Sequence, residues 1–139
     1  MSPALIVDAG PLVAYFDRDS EYHGWVRDQA SNLEAGWVTC EPVLMEASYL
    51  LRRAAVEPDS LLELIERGVL TAPFRVESEV AALRPLLARY RNVPMSLADA
   101  CLVRLSEIYE NCVVFTLDSD FMVYRRFGRR TIPVLRPAS

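Results

Sequence analysis

The chain has 139 residues, of which 52% are hydrophobic and 24% charged. That is the size and composition of one globular domain, able to bury about two-thirds of its unfolded surface without disulfide or metal staples. All 15 basic residues are arginine, set against 19 acids and a single histidine, which excludes amine chemistry such as Schiff bases and phosphate-loop lysines, and also histidine-rich metal sites.

In chain order, Ala4-Leu5-Ile6-Val7 is a continuous apolar run suited to a buried strand. Gly10 permits a turn, and Pro11 fits the first position of a helix over residues 12–16. A second helix is predicted from about Tyr22 to Ser31, and a second strand over Trp37-Val38-Thr39. From Glu41-Pro42, the spacing of Val43, Leu44, Ala47, Leu50 and Leu51 is helical, with Arg52 and Arg53 at the negative end of the dipole. A helix over residues 61–65 closes at Gly68. Residues 69–76 read as a strand broken by Pro73. Val80, Leu83, Leu86, Leu87 and Tyr90 read as an amphipathic helix that Pro85 kinks or delays.

Ser96 opens a helix running to about Tyr109, and residues 112–117 form the clearest strand. Residues 131–135 are a last strand, placed at an edge by Pro133. Strand and helix alternate without repeat or linker, which predicts an α/β sandwich over residues 1–139 as a single domain. Its sheet is mainly parallel, of about five short strands, with right-handed crossovers and flanking helices. Three cysteines, Cys40, Cys101 and Cys112, cannot all pair within one chain. Their apolar or helical settings point to reduced, buried thiols and a cytoplasmic location. No apolar run approaches the roughly 18–20 residues of a membrane span, so neither an anchor nor a signal peptide is expected.

Carboxylates fall where an α/β sheet holds its ligands, beyond the carboxyl ends of strands. Asp8 follows the first strand, Asp118 and Asp120 follow the strand over residues 112–117, and Asp99 lies in a first helical turn. Glu46 has Val43, Ala47 and Leu50 as its near neighbours, which places it on the apolar side of its helix. Each acid also has a structural reading: Asp8 as a turn residue, Ser96-x-x-Asp99 as a capping box, Glu46 as a solvated residue near a helix start, Asp118-Ser119-Asp120 as a turn and cap. With no lysine available, a divalent cation such as Mg²⁺ or Mn²⁺ is the fitting partner for acids brought together. Without one they repel, and some have raised pKa values.

Residues 5–14, Leu-Ile-Val-Asp-Ala-Gly-Pro-Leu-Val-Ala, resemble the opening motif of PIN-domain proteins. Glu46 fits that family's glutamate, Ser96-Leu97-Ala98-Asp99-Ala100 resembles its third motif, and Thr116-Leu117-Asp118-Ser119-Asp120-Phe121 its fourth. The likeness spans nearly the whole chain, whose length suits a single-domain toxin of the VapC type. It implies an α/β/α sandwich and a Mg²⁺- or Mn²⁺-dependent endoribonuclease, dimeric and held inactive by a protein antitoxin. The acidic quartet would be Asp8, Glu46, Asp99 and Asp118, with metal held by Asp8, Asp99, Asp118 and Asp120. Asp120 either binds metal or only orients Asp118; Thr116 and Ser96 stand behind the acids. Ala9 and Gly10 depart from the hydroxyl residue often found after the first aspartate, so backbone amides must replace that hydrogen bond. The alternative function is a PIN-like module that binds RNA or protein without cleaving.

A strand followed by Asp118-Ser119-Asp120 also resembles haloacid-dehalogenase-type phosphatases, but that motif comes early and needs a later lysine. The missing lysine excludes a receiver domain too. Arg125, Arg126, Arg129 and Arg130 form one dense basic patch, read either as a solvated face or as an RNA-backbone contact. His23 reads as a surface or helix-facing residue, Trp25 and Trp37 as core residues, and Leu61, Leu62, Leu64 and Ile65 as interior packing or a dimer or antitoxin surface.

Overall fold

The computed structural model describes residues 2–32 and 36–138. Strand β1 (Ala4–Val7) leads into α1 (Ala9–Phe16) and α2 (His23–Asn32). β2 (Trp37–Cys40) leads into α3 (Glu41–Arg53) and α4 (Asp59–Glu66). β3 (Leu70–Phe74) leads through a 3₁₀ turn into α5 (Val80–Arg89) and α6 (Leu97–Ile108). After β4 (Cys112–Phe115) come a second 3₁₀ turn (Ser119–Met122), the hairpin β5 (Arg125–Arg126) and β6 (Arg130–Thr131), and finally β7 (Val134–Leu135).

Five strands form one wholly parallel sheet in the order β3-β2-β1-β4-β7, flanked by the six helices. This is the predicted α/β/α sandwich. The interior strands β1 and β4 explain their own sequences: Leu5, Ile6 and Val7 of β1 and Val114 and Phe115 of β4 are buried, so both faces must be apolar. On α3, Val43, Ala47 and Leu51 recur every four residues and are all fully buried. The chain moves outward from β1 through β2 to β3, then returns to the opposite side of β1 as β4. The carboxyl ends of β1 and β4 therefore flank the topological switch point, where open α/β sheets bind ligands.

Several boundaries differ from the sequence-based expectation. Helix α1 starts at Ala9, ahead of the expected first position at Pro11, because Asp8 caps it: the Ala9 amide donates to Asp8 Oδ1 at 2.7 Å. Pro73 does not break β3. That strand lies at the sheet edge, and the register against β2 shifts between Val38 and Cys40, a bulge that absorbs the proline. Pro85 lies inside α5 without delaying its start at Val80. The clearest strand ends at Phe115, two residues early. The expected last strand over residues 131–135 divides: Thr131 belongs to the hairpin, while Val134 and Leu135 extend the main sheet beside β4.

The leucine-rich stripe of α4 also divides, with Leu61 and Leu64 buried and Leu62 mostly exposed. Trp37 is buried against the Tyr15 ring, and Trp25 packs edge-on to Phe115, as expected of core residues. His23 links two helices through Nδ1, 2.7 Å from the Ala14 carbonyl. The three cysteines are free and buried. Among the described residues no helix is long and apolar enough to cross a membrane.

Candidate active site

Asp8 directly follows β1 and is almost fully buried, 7% exposed. Its amide donates to the Phe115 carbonyl at 2.9 Å, so the β1–β4 ladder continues one step beyond the strands. On the other side, Thr39 Oγ1 donates to the Val7 carbonyl at 2.8 Å and ties the end of β1 to β2. One carboxylate oxygen of Asp8 accepts from the Ala9 amide, which replaces the hydroxyl the sequence lacks. The other accepts from Thr116 Oγ1 at 2.7 Å. Thr116 Oγ1 in turn accepts from the Asp118 amide at 2.9 Å. A single buried hydroxyl thus joins the two strand ends that carry Asp8 and Asp118.

Asp118 caps the following 3₁₀ turn, its Oδ1 accepting from the Asp120 amide at 2.8 Å. The Asp120 backbone therefore orients Asp118, whatever its own carboxylate does. Asp99 completes a capping box at the start of α6: its amide donates to Ser96 Oγ at 3.0 Å, and its Oδ2 accepts from the Ser96 amide at 3.2 Å. Tyr124 Oη donates to the same Asp99 oxygen at 3.1 Å. Glu46 differs from expectation. It is exposed, while its neighbours Val43 and Ala47 are buried, because one residue turns a helix by about 100° and carries it off the core face.

The acids feel one another. Burial pushes Asp8 up to about 6, opposing the hydrogen bonds from Thr116 and Ala9, with Asp99 and Glu46 adding to the rise. Asp99 is raised by burial and by Asp118, against hydrogen bonds from Ser96 and Tyr124. Glu46, though it reaches solvent, is raised by loss of part of its hydration, then by Asp99 and Asp118. Among the described residues the ion pairs lie elsewhere, on Arg75–Glu77 and on Arg104 with Glu79 and Glu107, so no guanidinium neutralises these acids.

An all-oxygen set of mutually repelling carboxylates with no cationic side chain fits a hard divalent ion. Among the described residues no group of three His, Cys, Asp or Glu closes into a ready metal cage. The fit is therefore to an ion held by one or two carboxylates together with water, as Mg²⁺ commonly is.

The basic run behaves less simply than its sequence. Arg126 is 3% exposed, and its guanidinium donates to the Glu110 carbonyl at 2.7 Å and to Cys112 Sγ at 3.6 Å. Its burial withdraws it from any phosphate-facing patch. Arg125 Nη1 donates to the carbonyls of Met122, Val123 and Tyr124, closing the 3₁₀ turn. Arg129 and Arg130 remain exposed.

Two residues escaped the sequence reading. Thr39 sits in a strand where threonine is ordinary. Tyr124 acts across 25 residues of sequence, with no spacing rule to reveal it. Tyr124 is fully buried, packed edge-on against Tyr90 and Phe121. Tyr124→Phe keeps that packing and removes one hydrogen bond, so thermal melts should register a loss of only ~1 kcal/mol. Turnover should fall several-fold more than stability does, since Asp99 loses its lateral support; unchanged turnover would remove Tyr124 from the site.

A search of the curated proteins gives no match. The PIN domain family model matches residues 5–126, a span containing Asp8, Glu46, Asp99 and Asp118. The chain belongs to the PIN domain family, whose members are generally nucleases that use divalent metals.

Proposed function

We propose that this PIN domain is a metal-dependent endoribonuclease and the toxin of a toxin–antitoxin pair. The observation that carries the nuclease reading is the group of uncompensated carboxylates at the switch point, three with raised pKa values. Asp8, Asp99 and Asp118 would share Mg²⁺ or Mn²⁺, one or two of them as direct ligands and the rest through bound water, with Asp120 at the margin. When bound, the ion supplies an activated water and neutralises charge developing on the phosphate. Glu46, whose affinity for protons is above that of an ordinary glutamate, would accept the proton of the attacking water. Thr116 fixes the separation of Asp8 and Asp118, while Ser96 and Tyr124 fix the Asp99 carboxylate.

The remaining parts of the proposal are partners and compartment. Exposed apolar side chains, Met45 and Tyr49 one turn apart on α3 and Leu62 on α4, support docking of a second copy or of an antitoxin helix. An antitoxin arginine would replace the cation among the acids. Three reduced thiols suit the cytoplasm. The deciding experiment is RNA cleavage with Mg²⁺ or Mn²⁺ and again with chelator. Activity is expected with metal and is expected to vanish with chelator. Cleavage indifferent to chelator would overturn the metal mechanism, and no cleavage under any condition would leave a binding module.

A further inference from the structure

The arginines are segregated. Residues 80–98 contain three arginines and no acid, and residues 121–139 contain five arginines and no acid, so all 19 acids lie elsewhere. The fold brings these two acid-free segments together. The Arg125 amide donates to Tyr90 Oη at 2.9 Å, the Tyr90 and Tyr124 rings meet edge-on with centroids 5.1 Å apart, and Arg89 Nη1 donates to the Gly128 carbonyl. Glu107, whose carboxylate meets the hairpin tip, is already taken up by Arg104 and by the Phe127 amide. A protein of net charge −4 thus carries an arginine-rich face, made by the end of α5 and the β5–β6 hairpin, with Arg89, Arg91, Arg129 and Arg130 exposed on it.

That face begins at the active site and runs away from it. Tyr124 touches Asp99 near the start of α6, whereas Phe127 touches Glu107 near its end. Eight residues of helix separate the two contacts, about 12 Å. At the hairpin tip Phe127 and Gly128 both have left-handed backbones, and the Arg126 and Arg130 guanidiniums lie 5.0 and 5.4 Å from the centre of the Phe127 ring. Arg91 and Arg129 are exposed.

We propose that this face, through Arg89, Arg91, Arg129 and Arg130, holds the phosphate backbone of a single RNA strand some nucleotides away from the bond being cut. The inference rests on the reading of the acids as a ribonuclease site and adds where the rest of the substrate lies. Guanidiniums suit phosphate oxygens, and such contacts fix the register of a strand without reading its sequence. Each neutralised phosphate releases counterions, so the contribution of this face must weaken with salt.

The test is fluorescence anisotropy of a labelled single-stranded RNA of about 20 nucleotides, bound to the Asp8→Asn protein so that turnover is absent. Arg91→Ala with Arg129→Ala should weaken binding roughly tenfold at low salt and make the salt dependence shallower by about 1.4, or 0.7 per phosphate contact. Arg75→Ala, on a residue that follows edge strand β3, should change neither. A dinucleotide is too short to reach the hairpin, so it should not distinguish the Arg91/Arg129 variant from its parent. Thermal melts verify that the variants are folded. Unchanged affinity and slope in a folded double variant would overturn the proposal. So would unchanged RNA binding accompanied by lost binding of polyglutamate, which would assign the face to an acidic protein. RNA held by this face but never cut by the unmutated site would keep this inference and defeat the nuclease reading.

Discussion

Asp8→Asn should abolish cleavage by orders of magnitude and yet leave the metal-free protein more stable than its parent at about pH 7.5. Asp8 is held at about 6, above its ordinary 3.8, so ionised Asp8 is a burden on the fold. The difference corresponds to something on the order of 3 kcal/mol. Because the folded pKa is the higher one, the metal-free protein gains stability as pH falls through 6, and the gain is complete near 4, where the unfolded carboxyl is also protonated. Glu46 and Asp99 are raised as well and push in the same direction. Asparagine keeps the shape and carries no charge, but it has one acceptor oxygen where Asp8 uses two. The lost bond costs about 1 kcal/mol, so the variant should lose this part of the pH dependence and gain about 1–2 kcal/mol at neutral pH. Mn²⁺ should stabilise the parent by linkage and the variant far less. Urea denaturation at several pH values, with and without Mn²⁺, reads all of this. An Asp8→Asn protein less stable than its parent at neutral pH would mean that the hydrogen bond from Thr116 outweighs the cost of the buried charge.

Thr116→Val should produce the opposite pairing, with stability and activity lost together. The substitution keeps the β-branched shape at the end of β4 but removes an oxygen that serves both strand ends. The Asp118 amide loses its acceptor and Asp8 loses a donor, at a cost of about 2–3 kcal/mol for groups this poorly hydrated. Asp8 also loses the hydrogen bond that pulls its pKa down, so its titration should move further up, and the shift should be visible in any pH–rate profile. Thr116→Ser, which keeps the oxygen, should recover most of both losses. A valine variant with parental turnover would show that Asp8 and Asp118 hold their separation without the hydroxyl.

The sheet was legible because its middle strands are buried on both faces and so are apolar without interruption. The acids were legible because parallel strands deliver their successors to one edge. What escaped reading depended on distances that spacing rules do not span. Glu46 sits at the margin of a helical face, where apolar neighbours on one side do not settle which way the side chain turns. The strands β5, β6 and β7 are two residues long, too short for a period, and are fixed by tertiary contacts such as that of Arg126 with Glu110. Burial of Arg126 was invisible for the same reason. In sequence it is one of four similar arginines, and only the fold distinguishes the anchor from the exposed pair.

The capping box at the start of α6 gives one carboxylate two employments. Asp99 Oδ2 fastens the Ser96 amide, and its carboxylate also feels the charge of Asp118 across the crevice. Whatever engages that oxygen, a proton or a cation, must draw on the same lone pairs that close the first turn of the helix. Occupancy of the crevice is thereby written into the protection of a single peptide hydrogen. Exchange of the Ser96 amide with deuterated solvent becomes a built-in gauge of the site, readable without substrate, label or turnover.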